Sequence, residues 1–213
     1  SVVIPTHNRY NHLLKAVESV KNQTYKDIEI IVVNDGSIDK TSAIAEKSGA
    51  LVVNHNTNQG YDSALNSGLK KAVEEKFNAV ITFDADGQHS ADLLTLFIQE
   101  LKNGTQLVLG VRPNNQRFAE WLFRVYAKYR FNWLDPLCGM KGYSASLINK
   151  IDSITTYESI GTELALKAIK SNASVKQIPI KVIKRMGESK FGDGFLANLK
   201  ILKSLLIGII KFR

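Results

Sequence analysis

Two aspartates one residue apart, Asp84 and Asp86, directly follow an apolar run that predicts a buried strand, and Gln88 lies two residues further on. Two carboxylates this close repel each other unless a cation or hydrogen-bond donors compensate their charge. Mg²⁺ and Mn²⁺ prefer oxygen ligands and keep coordination positions for water and substrate phosphates. The segment therefore indicates a divalent-metal site at Asp84, Asp86 and Gln88, although a solvated acidic turn is the commoner setting of an Asp-x-Asp pair.

A third carboxylate, Asp35, follows the apolar run at residues 28–33. At a strand end it can accept a hydrogen bond from a nucleobase N–H. The same segment also suits an Asp-Gly turn followed by a helix cap at Ser37 or Asp39, and the two interpretations are compatible. Gly60 precedes a helix whose first residues are small and polar, so this helix start could approach a phosphate. The spacing of the glycines in this segment matches neither the common dinucleotide-binding loop nor the common triphosphate-binding loop.

Short β-branched runs alternate with helical patterns along the first half of the chain, as in βαβ units. Strands are predicted at residues 2–4, 28–33, 51–53, 79–83 and 107–110, and helices at 11–21, after 39, at 61–75 and from a Ser90 cap to 102. Strands apolar on both faces indicate an α/β fold with a Rossmann-like, mostly parallel sheet flanked by helices. Ligands of such sheets bind at the carboxyl ends of the strands, where the polar residues lie.

The second half has a looser pattern. It predicts an aromatic-rich helix at 118–129, a loop at 135–139, a helix near 162–170 and an extended segment at 175–183. Residues 195–213 are rich in Leu and Ile with interspersed lysines, but too short for the ~20 residues of a spanning helix. This amphipathic helix lies on a membrane, packs on the domain or forms an oligomer, and all three interpretations stay open. The predicted division is a catalytic domain at 1–194 and this helix at 195–213.

Composition limits the function classes. The 213 residues suit one domain, and 44% hydrophobic with 23% charged residues argues against disorder or a disulfide scaffold. The net charge of +8 favours anionic partners, but the basic residues are scattered, which disfavours nucleic acid. Cys138 is the single cysteine, and no signal peptide is visible, so we expect a cytoplasmic protein. Oligomeric state is not predicted.

Seven segments in order carry a resemblance that spans most of the chain. They are VIPTHN at 3–8, VVNDGS at 32–37, NQG at 58–60, FDADGQH at 83–89, GVR at 110–112, DPLCG at 135–139 and RMGESK at 185–190. The set resembles the family 2 glycosyltransferases of GT-A fold, and within them the dolichol-phosphate mannose synthase-like enzymes.

The resemblance implies a role for each matching residue. Pro5, Thr6, Asn8 and Asp35 would line the nucleoside pocket, and Gly60, Ala85 and Arg112 would join them in the donor site. Asp84, Asp86 and Gln88 would hold Mg²⁺ or Mn²⁺ and the donor diphosphate. Phosphate groups would be bound by Arg112, Arg185, Ser189 and Lys190. Binding of phosphates would account for the positive net charge of the chain.

The implied reaction is inverting transfer of a sugar from a UDP- or GDP-sugar, favouring polyprenyl phosphate at the inner membrane face as acceptor. A phosphate oxygen is already anionic and needs no general base. A hydroxyl of a surface polysaccharide or lipid-linked glycan would need one, and Glu163 and Asp135 are the candidates. A non-catalytic module that binds nucleotide sugars is the alternative from another class.

Overall fold

The computed structural model describes residues 1–84, 89–113, 117–151, 160–182 and 195–211. The chain forms two compact units, Ser1–Phe77 and Asn78–Arg213. In both units strands alternate with helices, which confirms the predicted α/β class.

The first unit is a three-stranded parallel sheet with helices between its strands. Its elements are β1 (Val2–Thr6), α1 (Tyr10–Lys21), β2 (Ile30–Asp35), α2 (Thr41–Lys47), β3 (Leu51–His55) and α3 (Tyr61–Glu74), with β2 in the middle of the sheet. All of β2 is buried, and Leu13 and Val17 of α1 pack against its Ile30 and Val32. Because the strands are parallel, their carboxyl ends meet at one edge of this sheet.

The second unit contains a four-stranded mixed sheet in the order β4-β6-β5-β7. Its elements are β4 (Ala79–Thr82), α4 (Leu93–Lys102), β5 (Leu107–Val111), α5 (Phe118–Phe131), β6 (Lys141–Ser144), α6 (Ala145–Lys150), α7 (Ile160–Lys170), β7 (Val175–Pro179) and α8 (Phe195–Lys211). β6 runs antiparallel to both neighbours, whereas β5 and β7 are parallel. Over the described strands, three of the five pairings are parallel, so the mostly parallel arrangement is confirmed.

Several local predictions need correction. β6 and α6 were not predicted, because Lys-Gly-Tyr-Ser lacks the apolar pattern of a buried strand. Ser90 does not cap α4, which begins at Leu93; Ser90 lies in the preceding turn, where its carbonyl accepts the Leu93 N–H. β2 begins at Ile30 and continues through Asp35, so Asp35 lies within the strand rather than after it.

One face of α8 packs on α5 within the second unit. Ile201 and Leu205 are buried against Ala119 and Phe123, and the Asn198 side chain accepts the Ala119 N–H at 3.1 Å. Of the three interpretations of the tail helix, packing on the domain is therefore observed for one face of α8. In the ranges given above, no helix combines the length and the apolar character needed to cross a bilayer.

Two substitutions on α8 test this packing. Ile201 is 1% exposed and Leu206 is 59% exposed. Ile201→Ala should lower the free energy of unfolding by about 2–5 kcal/mol because it leaves a cavity against α5. Leu206→Ala, a truncation of similar size on the outer face, should stay within about 0.5 kcal/mol of the native chain. Urea denaturation measures both, and equal effects would contradict the observed packing.

Candidate active site

Asp35, the last residue of β2, is a buried carboxylate that accepts three hydrogen bonds. Oδ1 accepts from Nδ1 of His55 at 2.7 Å and from the backbone N–H of Gln59 at 2.8 Å. Oδ2 accepts from the backbone N–H of Gly60 at 2.8 Å. Burial alone would raise the pKa of the Asp35 carboxyl, but these donors lower it below its ordinary value. Asp35 is therefore an anion with a fixed orientation.

His55 is in turn held by α3. Its Nε2 lies 2.9 Å from the hydroxyl of Ser67. Nδ1 donates to the Asp35 carboxylate, and Nε2 is within hydrogen-bond distance of the Ser67 hydroxyl, so both ring nitrogens have partners. The orientation of Asp35 thus depends on three elements, β2, β3 and α3.

The loop after β1 reaches the same edge of the first sheet. His7 Nδ1 donates to the Asp35 carbonyl at 2.7 Å, and the Asn8 N–H donates to the Ser37 hydroxyl at 2.9 Å. The predicted donor-site residues gathered at this edge are Pro5, Thr6, Asn8, Asp35 and Gly60.

Gly36 allows the turn after β2 to approach the loop before α3. Its φ is +64°, and a Cβ there would collide with the backbone of Thr57 and Asn58. Such a φ favours glycine. The Asp-Gly pair therefore keeps Asp35 close to the loop that supplies Gln59 and Gly60.

In the second unit, Asp84 follows β4, is exposed, and lies directly against Gly139. A Cβ at Gly139 would collide with the Asp84 carboxylate. The Thr82 hydroxyl ties the two segments together, because it donates to the Gly139 carbonyl at 2.7 Å and accepts the Lys141 N–H at 3.1 Å. The loop at 135–139 is therefore fixed to the strand end that carries Asp84.

Lys141 is a buried cation in the same region. Its Nζ donates to the Cys138 carbonyl and lies 5.9 Å from the centroid of the Trp133 ring. Desolvation lowers the pKa of Lys141, and the negative charges of Asp135 and Asp84 partly oppose this shift. The second unit thus has a lysine within electrostatic range of the exposed Asp84.

Arg112 and Asp135 form a bidentate ion pair. Arg112 donates from Nε to Oδ2 at 2.8 Å and from Nη2 to Oδ1 at 2.9 Å, and its backbone N–H also donates to Oδ2. Burial alone would raise the pKa of Asp135, but the hydrogen bonds and charge of Arg112 hold it below its ordinary value. Asp135 is fully buried, so the structure presents it as the partner of Arg112.

Glu163, in the first turn of α7, is also buried and paired. Its Oε1 lies 2.9 Å from Nζ of Lys167 and 4.0 Å from Nζ of Lys211. The neighbouring Thr162 hydroxyl donates to the Pro136 carbonyl at 3.1 Å, which joins α7 to the loop at 135–139.

The remaining predicted site residues lie outside the described ranges; they are Ala85, Asp86, Gln88, Arg185, Ser189 and Lys190. Among the residues that the structure does describe, no group of three or more His, Cys, Asp or Glu side chains could hold a metal ion. The metal site at Asp84, Asp86 and Gln88 therefore stays a prediction.

Sequence reasoning missed His55 and Lys141, and it placed Ser67 in a small, polar helix start without predicting its contact with His55. The predicted third strand ended at Val53, which left His55 in a loop, whereas β3 extends to His55 and pairs it with Asp35. Extending that strand by two residues would have applied the strand-end rule to His55 as well. Lys141 had no comparable signal, because a lysine in sequence indicates an exposed position.

The matches to known proteins agree with this arrangement. Residues 1–154 match the family model of Glycosyl transferase family 2. The chain is 25% identical to the UDP-N-acetylglucosamine–dolichyl-phosphate N-acetylglucosaminyltransferase of Methanococcus voltae, over 97% of this chain and 94% of that protein. It is 23% identical to the undecaprenyl-phosphate mannosyltransferase of Micrococcus luteus, over 92% of this chain and 88% of that protein.

A solved structure shares the fold. Glucosyl-3-phosphoglycerate synthase from Mycobacterium tuberculosis, in complex with Mn²⁺, uridine diphosphate and glucosyl-3-phosphoglycerate, matches with a TM-score of 0.63 and 22% identity. The match covers 96% of this chain and 78% of that chain. The two relatives named above are consistent with the dolichol-phosphate mannose synthase-like subgroup. The chain therefore belongs to glycosyl transferase family 2 and is a glycosyltransferase of GT-A fold.

Proposed function

We propose that this glycosyltransferase is an inverting, metal-dependent enzyme that moves a sugar from a UDP- or GDP-sugar to the phosphate of a polyprenyl phosphate. Asp84, Asp86 and Gln88 hold Mg²⁺ or Mn²⁺, and Asp35 accepts a hydrogen bond from the nucleobase. The enzyme works at the inner face of the membrane.

The observation that carries the choice of acceptor is the burial of both candidate bases. Asp135 is fully buried and bound by Arg112, and Glu163 is fully buried and bound by Lys167. A general base must come within hydrogen-bond reach of the acceptor proton. An acceptor phosphate carries no proton that must be removed at neutral pH. The described site therefore supports a phosphate acceptor over a hydroxyl.

The residues at Asp84 fit a hard divalent cation. Asp84 is exposed, and it lies against a glycine where any side chain would displace it. Carboxylate and amide oxygens are the ligands that Mg²⁺ and Mn²⁺ prefer. When bound, the cation stabilises the charge that develops on the leaving diphosphate. The buried Lys141 side chain also interacts electrostatically with Asp84.

A cavity in the second unit suits an anionic head group with an apolar chain. It has a volume of about 380 Å³ and is lined by the basic residues Arg124 and Lys128, together with Arg112, whose guanidinium is paired with Asp135. Arg124 is positioned by hydrogen bonds to the carbonyls of Leu134 at 2.8 Å and Arg112 at 2.7 Å. Basic side chains bind phosphate oxygens, and the apolar walls suit an isoprenoid chain. The apolar lining residues are Val111, Pro113, Val125, Leu134, Pro179 and Ile180.

The outer faces of α5 and α8 support peripheral membrane contact. Each helix exposes a stripe of apolar or aromatic side chains at helical spacing, together with lysine or arginine. The one acidic residue in the two helices, Glu120, is buried. Such faces bind anionic lipid surfaces. The exposed apolar residues are Phe118, Trp121, Val125, Tyr129, Leu199, Leu206 and Ile210.

The names of the relatives support the same acceptor and metal. Dolichyl phosphate appears in the name of the Methanococcus voltae protein and undecaprenyl phosphate in that of the Micrococcus luteus protein. The Mycobacterium tuberculosis structure contains Mn²⁺ and uridine diphosphate.

The position of Asp84 can be tested with Gly139→Ala. The new methyl group must displace the Asp84 carboxylate, and a misplaced catalytic group costs about 100-fold in kcat. We expect that loss in sugar transfer, together with loss of the thermal stabilisation by nucleotide that depends on Mn²⁺. Gly161→Ala is the matched control, because its Cβ meets ordinary contact distances of 3.5 Å and longer. Undiminished activity of Gly139→Ala would contradict the metal site.

Glu163→Gln tests whether a general base is used. General bases contribute about 10²–10⁴-fold to rate. We expect kcat to change less than about threefold, because the acceptor phosphate needs no deprotonation. Circular dichroism would check that the variant folds. A loss of at least about 100-fold with unchanged donor binding would favour a hydroxyl acceptor instead.

A further inference from the structure

The hydrogen bonds already made by Asp35 limit what a nucleobase can add. An ionised carboxylate has about four positions at which it accepts hydrogen bonds, two on each oxygen. On Asp35, His55 and Gln59 occupy both positions of Oδ1, and Gly60 occupies one position of Oδ2. Counting the hydrogen bonds made by the described residues, one acceptor position is left, on Oδ2.

These three donors cannot easily move aside. The N–H groups of Gln59 and Gly60 belong to the backbone, and the ring of His55 is fixed at its far nitrogen by Ser67. The Gly60 N–H is also shared with the Asn58 side-chain oxygen at 2.9 Å, which holds that peptide in place. The Asp35 side chain is 5% exposed.

We infer that His55 makes the donor site selective for a base that presents a single ring N–H between two carbonyl groups, which is the pattern of uracil. The inference rests on the proposed role of Asp35 as the acceptor for the nucleobase. Uracil donates from N3 alone, so one free position on Oδ2 satisfies it. His55 is a positioning residue, since it acts through Asp35.

Guanine and cytosine match the single free acceptor position of Asp35 less well than uracil does. Guanine presents two adjacent donors, N1–H and the 2-amino group, and one of them loses its partner when Oδ1 is filled. Cytosine bound in the pose of uracil presents an unprotonated N3, whose lone pair would face the lone pair of Oδ2. An unsatisfied buried donor weakens binding by about 10-fold or more. Uridine nucleotides should therefore bind about 10-fold or more tighter than guanosine or cytidine nucleotides.

Calorimetric titration of the full chain with UDP, GDP and CDP in the presence of Mn²⁺ tests the inference. His55→Phe removes the donor to Oδ1 and opens a second acceptor position. We expect the ratio of the GDP and UDP dissociation constants to fall by about 10-fold in this variant. His55→Asn keeps a side-chain N–H donor and should retain the native ratio. A purely structural role for His55 would weaken both nucleotides equally and leave the ratio unchanged.

His12→Phe, an exposed histidine on α1, is the control for loss of an imidazole. Equal affinity of the native chain for UDP and GDP would overturn the inference but not the proposed donor site. An unchanged ratio of the GDP and UDP dissociation constants in His55→Phe would do the same. Absence of binding by every nucleotide would overturn the proposed donor site and the inference with it. If His55→Phe does not fold, two other measurements test the inference. The native chain should bind UDP more tightly than GDP, and Ser67→Ala should lower the ratio of the GDP and UDP dissociation constants.

Discussion

A charged side chain that leaves water must find a partner, because an unpaired buried charge costs about 3–5 kcal/mol. This constraint organises both units of the chain. Asp35 is compensated by backbone N–H groups and a histidine, Asp135 by Arg112, and Glu163 by Lys167. The loop at residues 135–139 is held by two such groups, because Asp135 accepts the Arg112 N–H and the buried Lys141 donates to the Cys138 carbonyl.

The same constraint supports the proposed division of the acids into structural and chemical roles. Asp135 and Glu163 are buried and committed to arginine and lysine, whereas Asp84 is exposed at a strand end beside Gly139. An exposed carboxylate can exchange water for a metal ion and a diphosphate, while a buried ion pair cannot do so without leaving its partner unpaired. A reaction whose nucleophile is already anionic suits this arrangement of buried and exposed acids, because it needs no general base. Basic side chains and a metal ion can stabilise the charge that develops in the transition state.

The sequence alone predicted most strands, from their hydrophobic pattern, and the candidate acids that lie at strand ends. Apolar runs located most strands, and Asp35 and Asp84 lie at or after strand ends as expected. Contacts between distant segments could not be predicted. The pairing of Arg112 with Asp135 joins residues 23 positions apart, and the contact of Asp84 with Gly139 depends on the unpredicted strand β6. The contact of His55 with Asp35 likewise depends on the register of β3 against β2, which places the two residues opposite each other.

The most direct measurement compares two acceptors that differ only in the phosphate. The full chain would be incubated with Mn²⁺, radiolabelled UDP- and GDP-sugars, and either a polyprenyl phosphate or the corresponding polyprenol, and lipid-linked label would be counted. Label that appears on the polyprenyl phosphate and not on the polyprenol is the predicted result. Transfer to the polyprenol or to a glycan hydroxyl, with none to the phosphate, would contradict the account, because it would require a general base from carboxylates that are buried in ion pairs.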